Sequence, residues 1–239
     1  MSASKDFYIN LLNSKNLYDR LDGWNKIDYL IDNGILTKKE IESLLGSFEF
    51  LLYNEDETVA LHAFKLLDKL IHYRILEINE RLRNKIVELV TKPQLDNWWV
   101  GEEMISKGIL NPSDLSDKLD LFFNFLRLQN ADQIDAWALA RNLVKDNVIE
   151  KSLLKPYVKN ILVLLKSDDM HLRFNSWLTA SDLVKDGIAN PEDFLEVREY
   201  LVQLLKSDYF DDLSKIYEKY ASDFLDIMTK LGILNSSEN

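Results

Sequence analysis

The sequence predicts an all-α protein built from stacked antiparallel helix pairs, on three observations. Trp137 to Val148 and Trp177 to Ile188 lie forty positions apart and follow one pattern: an opening tryptophan, an alanine three residues on (Ala140, Ala180), then Leu-Val-Lys-Asp at 143–146 and 183–186. Leu164-Leu165-Lys166-Ser167-Asp168 recurs in the same way as Leu204-Leu205-Lys206-Ser207-Asp208. A fixed period of this length means repeated units that bury their apolar faces on one another. Second, seven glycines and four prolines in 239 residues leave little turn punctuation, which favours helices with short connections over many short strands. Third, the apolar residues recur at helical spacing throughout.

In chain order, residues 1–16 form an N-terminal cap helix, 17–210 the helical repeats, 211–234 a C-terminal capping helix and 235–239 a tail, all as one domain. The first helix of each copy closes on an apolar pair: Leu30-Ile31, Leu70-Ile71, Met104-Ile105, Leu143-Val144 and Leu183-Val184. Seven residues before the second member of the pair stands a large side chain (Trp24, Phe64, Trp98, Trp137, Trp177), and four after it a branched anchor (Ile35, Ile75, Ile109, Val148, Ile188). These spacings place them on one stripe. A looser sixth copy ends at Gly232-Ile233-Leu234. Gly34, Gly108, Gly187 and Gly232 stand where a helix C-terminus calls for a left-handed residue. New helices start at Thr37-Lys38-Lys39-Glu40, a capping box, and at Asn111-Pro112 and Asn190-Pro191, where proline takes the first helical position. The second helices are apolar at Ile41, Leu44, Leu45, Phe48 and Leu51-Leu52, and again at Leu154, Tyr157, Val158, Ile161 and Leu164-Leu165.

At the turn, Leu164-Leu165-Lys166-Ser167-Asp168-Asp169 followed by Leu172-Arg173 and Ser176 resembles a HEAT repeat. Leu51 to Asp56 with Val59 and Ala63 is similar, with Ala60 in place of the arginine. The resemblance covers most of residues 17–210 as pattern, and armadillo-type arrays share it. It implies a right-handed superhelix whose concave face, lined by the helices that begin at the tryptophans, holds a partner.

Composition narrows the chemistry. The absence of cysteine excludes disulfides, thiolate metal sites and cysteine nucleophiles. Met1 to Asp6 carries no apolar run behind positive charge, and Ile161–Leu165 is far too short for a membrane span, so a cytoplasmic protein with no membrane role is expected. No nucleophile elbow, phosphate loop or dinucleotide fingerprint occurs. His62 and His72 lie ten residues apart, not the four that a helical metal pair needs; His62 is expected to pack near a helix turn and His171 to face solvent. No catalytic residue, cofactor or metal is therefore expected.

The candidate site comes from register. Trp24, Trp98, Trp137 and Trp177 belong to the core, whereas Trp99 is turned about 100° from its neighbour and is expected either to be partly exposed or to pack on the adjacent repeat. Four residues after the aromatic come Asp28, Asp68 and Glu102, which stacking would align as an acidic ladder, with Glu103 next to it. Asp28, Asp68, Trp99, Glu102 and Glu103 are thus expected to form a groove for a basic or helical protein segment. The competing reading is a solvated helix face with ordinary ion pairs.

The function expected is a non-catalytic interaction module, monomeric or weakly self-associating. The alternative is a nucleic-acid-directed protein, either DNA-binding or similar to the HEAT-like DNA glycosylases that remove alkylated bases. Such a protein needs a basic face, but lysine and arginine number 29 against 40 acids, for a net charge of −11, and the repeated Lys145 and Lys185 make no phosphate track.

Overall fold

The computed structural model describes residues 2–235, so Met1 of the expected cap and residues 236–239 of the expected tail lie outside the described residues. In order come α1 (Ser2–Leu12), α2 (Leu17–Asn25), α3 (Ile27–Asp32), α4 (Lys38–Ser43), α5 (Leu45–Leu52), α6 (Glu57–Phe64), α7 (Leu67–His72), α8 (Glu80–Val90), α9 (Leu95–Ser106) and α10 (Pro112–Ser116). They are followed by α11 (Leu119–Phe123), α12 (Ala131–Lys145), α13 (Lys151–Leu154), α14 (Leu162–Leu165), α15 (Met170–Lys185), α16 (Arg198–Leu205), α17 (Asp208–Ile216) and α18 (Glu218–Lys230). Short 3₁₀ turns occupy Phe125–Arg127, Lys155–Ile161 and Pro191–Val197. Among the described residues there is no strand, and no helix is long and apolar enough to cross a membrane.

The contacts divide the chain into two compact units, Met1–Leu115 and Ser116–Asn239, where the sequence reads as one domain. In the first unit α2 packs on α6 and α6 on α9; in the second α12 packs on α15 and α15 on α18. Equivalent helices of successive copies are therefore neighbours inside each unit.

What ends these helices is the same turn every time. Gly34, Arg74, Gly108, Asn147, Gly187 and Gly232 all have positive φ, between 55° and 72°. The next residue's N–H then reaches back to the carbonyl five positions earlier: Ile35 to Leu30, Ile75 to Leu70, Ile109 to Met104, Val148 to Leu143, Ile188 to Leu183 and Ile233 to Met228. That bond satisfies a carbonyl the helix leaves open, and it needs a left-handed residue. The sixth copy thus closes like the others. Two copies make the turn without glycine, which costs arginine about 1–2 kcal/mol and asparagine less. Arg74→Gly should therefore gain about 0.5–1 kcal/mol after the entropy of the freer unfolded chain is subtracted. Gly187→Ala should lose about 1 kcal/mol at the equivalent turn. Shifts of the urea midpoint at constant slope would check both.

The tryptophans fill the centre. Trp24, Trp98, Trp137, Trp177 and Phe64 are completely buried. Their indoles also act as caps: Trp24 Nε1 donates to Leu12 O at 3.1 Å, Trp98 to Lys92 O at 3.1 Å and Trp177 to Leu165 O at 3.2 Å. Each accepting carbonyl lies at or just beyond the end of the preceding helix, where no intrahelical donor remains. A second cap stands four residues before the tryptophan in two copies. Arg173 Nε donates to Ser167 O at 2.6 Å, and Arg20 Nε to Ser14 O at 2.8 Å. Gln133 replaces arginine in the fourth copy and donates to Leu128 O.

Two expected helices are broken. The helices that carry Trp24 and Phe64 in the first two copies split at Lys26 and at Lys65-Leu66, whereas α9, α12 and α15 run unbroken. In each break a lysine of the next copy takes the freed carbonyl: Lys69 Nζ donates to Asn25 O at 2.6 Å, and Lys107 Nζ to Lys65 O at 3.1 Å. External donors of this kind let a helix interrupt its ladder. The C-terminal capping helix expected at 211–234 is also two helices, since Tyr217 (φ −132°, ψ 58°) leaves the helical region between α17 and α18. Ser207 caps α17, so it starts at Asp208, inside the segment read as repeats.

The capping box at Thr37 forms as the sequence predicts, with Thr37 N–H donating to Glu40 Oε2 at 2.9 Å and Glu40 N–H to Thr37 Oγ1 at 3.3 Å. Lys5 of α1 also donates to Glu40. That bond, followed by the Thr37 amide, holds the Glu40 carboxyl at about 2, below its ordinary 4.5. A lowered carboxyl stabilises the fold above its unfolded value, and the contribution is lost as pH falls from 4.5 through 2. Glu40→Gln should flatten the stability profile across that window in acid-titrated thermal melts.

Candidate functional site

The helices α6 and α9 hold the most developed recess around the predicted residues. Asp56 caps α6 by accepting from Thr58 N–H at 3.0 Å, and the inner face of α6 buries Val59, Ala60, Ala63 and Phe64. The inner face of α9 buries Trp98, Gly101 and Met104. With those faces committed to the core, Thr58, Leu61 and His62 on α6 and Lys65 at its C-cap are left opposite Asp96, Trp99 and Glu103 on α9, with buried Val100 beneath them. Both sets follow the i, i+3, i+4, i+7 spacing of a single helix face. They enclose a groove of about 570 Å³, with Asn97 and Glu102 completing its wall.

Trp99 is half-buried there, as its turn away from Trp98 predicts. Glu103 sits 2.8 Å from Lys107 and 3.8 Å from Lys65, so one acid of the groove is bridged to both helices. Asn97 is buried and donates to Leu89 O at 2.7 Å, which pins the start of α9 to α8. His62, expected to pack near a helix turn, is instead exposed on the groove wall. Its Nδ1 lies 2.7 Å from Thr58 O. A carbonyl only accepts, so Nδ1 carries the proton in this contact.

The structure does not bring the five predicted residues together. Trp99, Glu102 and Glu103 line the groove; Asp28 and Asp68 line a separate, shallower cleft of about 480 Å³ with Lys69, His72 and Tyr73. Asp28 lies 3.1 Å from Lys69 and Asp68 3.5 Å from Lys107, each lysine belonging to the following copy. The ladder is thus one side of a row of staples between copies. The second unit builds the same staple with reversed sign, Arg141 reaching Asp182 at 2.7 Å and Asp186 at 2.6 Å. Sequence register found the acids but not the lysines, because Lys69 and Lys107 occupy different positions in their copies. Partly exposed pairs like these contribute about 0–1 kcal/mol each. In the same cleft the Tyr73 hydroxyl donates to Asp32 at 2.8 Å, which raises the phenol above its ordinary value.

Elsewhere, His171 is exposed as expected, with Nδ1 3.0 Å from the Tyr209 hydroxyl. Among the described residues no group of three or more histidines and carboxylates is placed to hold a metal ion.

No family model matches the chain, and no solved structure matches it significantly. The chain is 28% identical over 212 residues, covering 89% of its own length and 92% of the other protein, to an "Uncharacterized protein in sor 5'region" of Acidianus ambivalens. That name carries no activity or partner.

Proposed function

We propose that the protein is a non-catalytic interaction module, a HEAT-like solenoid whose stacked helix pairs hold a segment of a partner protein. The observation that carries this reading is the α6–α9 groove, where half-buried Leu61 and Trp99 are set within a polar rim. A surface tryptophan in a recess is the kind of anchor that dominates protein interfaces. Side-by-side packing of equivalent helices within each unit supports the solenoid part of the reading, since such arrays leave one helix face open along their length.

Trp99→Ala tests it. The variant should keep its helicity and its cooperative unfolding, because Trp99 is not part of the fully buried core. It should lose a stoichiometric protein partner that the wild type captures from host lysate. Equal capture by both would refute the reading, and a salt-sensitive shift of labelled duplex DNA would replace it with the nucleic-acid one.

A further inference from the structure

We infer that the occupant of the α6–α9 groove is an extended, basic segment of a partner protein, seated with an arginine or lysine across Trp99. This rests on the interaction reading above and narrows it to one ligand chemistry.

Length is the first constraint. The groove walls run from Thr58 to Lys65 and from Asp96 to Glu103. Seven residues of helix at 1.5 Å each span about 10 Å. An extended chain covers that distance in about three residues at roughly 3.3 Å apiece. The recess therefore fits a tripeptide window of an extended chain, whereas a docking helix would need a stripe several turns long.

Charge is the second. Asp96, Glu102 and Glu103 face the groove, and of these Glu103 is already bridged by the ammoniums of Lys65 and Lys107, so three carboxylates face two ammoniums. An acidic or phosphate-bearing ligand would meet like charge, at a cost in both affinity and association rate. A neutral apolar segment would cover the exposed Asp96 carboxylate without replacing the donors that water gives it. Arginine and lysine avoid both penalties. Their methylene stems lie along apolar surface while the charged head reaches outward, which matches half-buried Leu61 and Trp99 under an acidic rim.

Trp99 is the third. Of the five tryptophans, Trp24, Trp98, Trp137 and Trp177 are fully buried, and only Trp99 is left half-exposed. A cation held over an indole face gains about 0.5–2 kcal/mol. A tryptophan beside carboxylates thus favours a cationic side chain over an equally large apolar one.

The test selects a random dodecapeptide display library on the wild-type protein, after removal of everything that Trp99→Ala retains. Net-positive sequences rich in arginine or lysine are expected to emerge. A synthetic peptide of the selected sequence should shift the Trp99 indole N–H signal and leave the four buried indoles in place. Replacing its arginines with citrulline, which keeps the shape and removes the charge, should weaken binding at least ~10-fold, as should Asp96→Asn combined with Glu102→Gln. Selection of neutral or acidic peptides that still depend on Trp99 would overturn the basic-segment inference and leave the groove as an interaction site. If no Trp99-dependent peptide emerges, both readings fall.

Discussion

Trp177→Ala is expected to destabilise the protein by about 4 kcal/mol, within the range for emptying a well-packed core site of a large aromatic. Trp177 is completely buried, its ring lies edge-on to Phe194 at 6.3 Å, and its indole caps Leu165 O. Phenylalanine at the same position separates packing from capping. Trp177→Phe keeps most of the apolar volume but removes the donor to Leu165 O, for a cost of about 2 kcal/mol. Trp137 is the internal control. It is equally buried in the same compact unit, yet its Nε1 has no hydrogen-bond partner, and neither has the Oε1 of Gln133 one turn away. Trp137→Phe discards a donor that satisfies nothing, so it should cost less than about 1 kcal/mol. Urea denaturation of the two phenylalanine variants decides the matter by their order. Equal losses would show that the indole caps contribute nothing beyond volume.

The contrast between Trp177 and Trp137 marks where the sequence stops being informative. Both tryptophans stand in one register, and the repeat period predicts their burial; whether an indole finds a carbonyl depends on where the preceding helix ends, which spacing does not report. Helix ends were legible where a residue type carries the geometry, as at Gly34, Gly108, Gly187 and Gly232. They were illegible at Arg74 and Asn147, where the same left-handed turn is imposed by packing on residues that tolerate it less well. Arg173 was legible through the Leu-Leu pair and acidic turn that precede it, but its counterpart Arg20 was not, because no acidic turn precedes it in the sequence. The site divides in the same way. Successive helical residues point in different directions, which placed Trp99 at the surface. An acidic ladder could be read from register, but the ion partners of Asp28 and Asp68 come from the following copy, and pairing between copies has no period of its own. The other groove wall, Thr58, Leu61, His62 and Lys65, followed the same spacing as Asp96, Trp99, Val100 and Glu103 and could have been found by asking which face of α6 the core leaves uncovered.

Arg173→Ala is expected to cost about 3 kcal/mol, a large loss for a residue that forms no ion pair among the described residues. Arg173 is 3% exposed, and its guanidinium donates to Ser167 O and, at 3.5 Å, to Lys166 O, while lying 5.5 Å from the centre of the Tyr200 ring. Among the described residues Nη1 is buried without a hydrogen-bond partner. Alanine would leave two carbonyls at the end of α14 without their donor and open a cavity beside Tyr200. Arg173→Met distinguishes these effects: methionine fills the space and removes an uncompensated buried charge, so it should recover roughly half of the loss. Arg20 calibrates the role of burial. It makes the equivalent bond to Ser14 O and lies 5.1 Å from the Phe50 ring, but it is only half-buried, so water can replace its donors. Arg20→Ala should therefore cost about 1 kcal/mol. Chemical denaturation of the three variants measures the set. If Arg20→Ala cost as much as Arg173→Ala, the hydrogen bond itself would set the magnitude; a threefold difference would assign it to the desolvated carbonyls, and methionine would then show how much of the remainder is empty space.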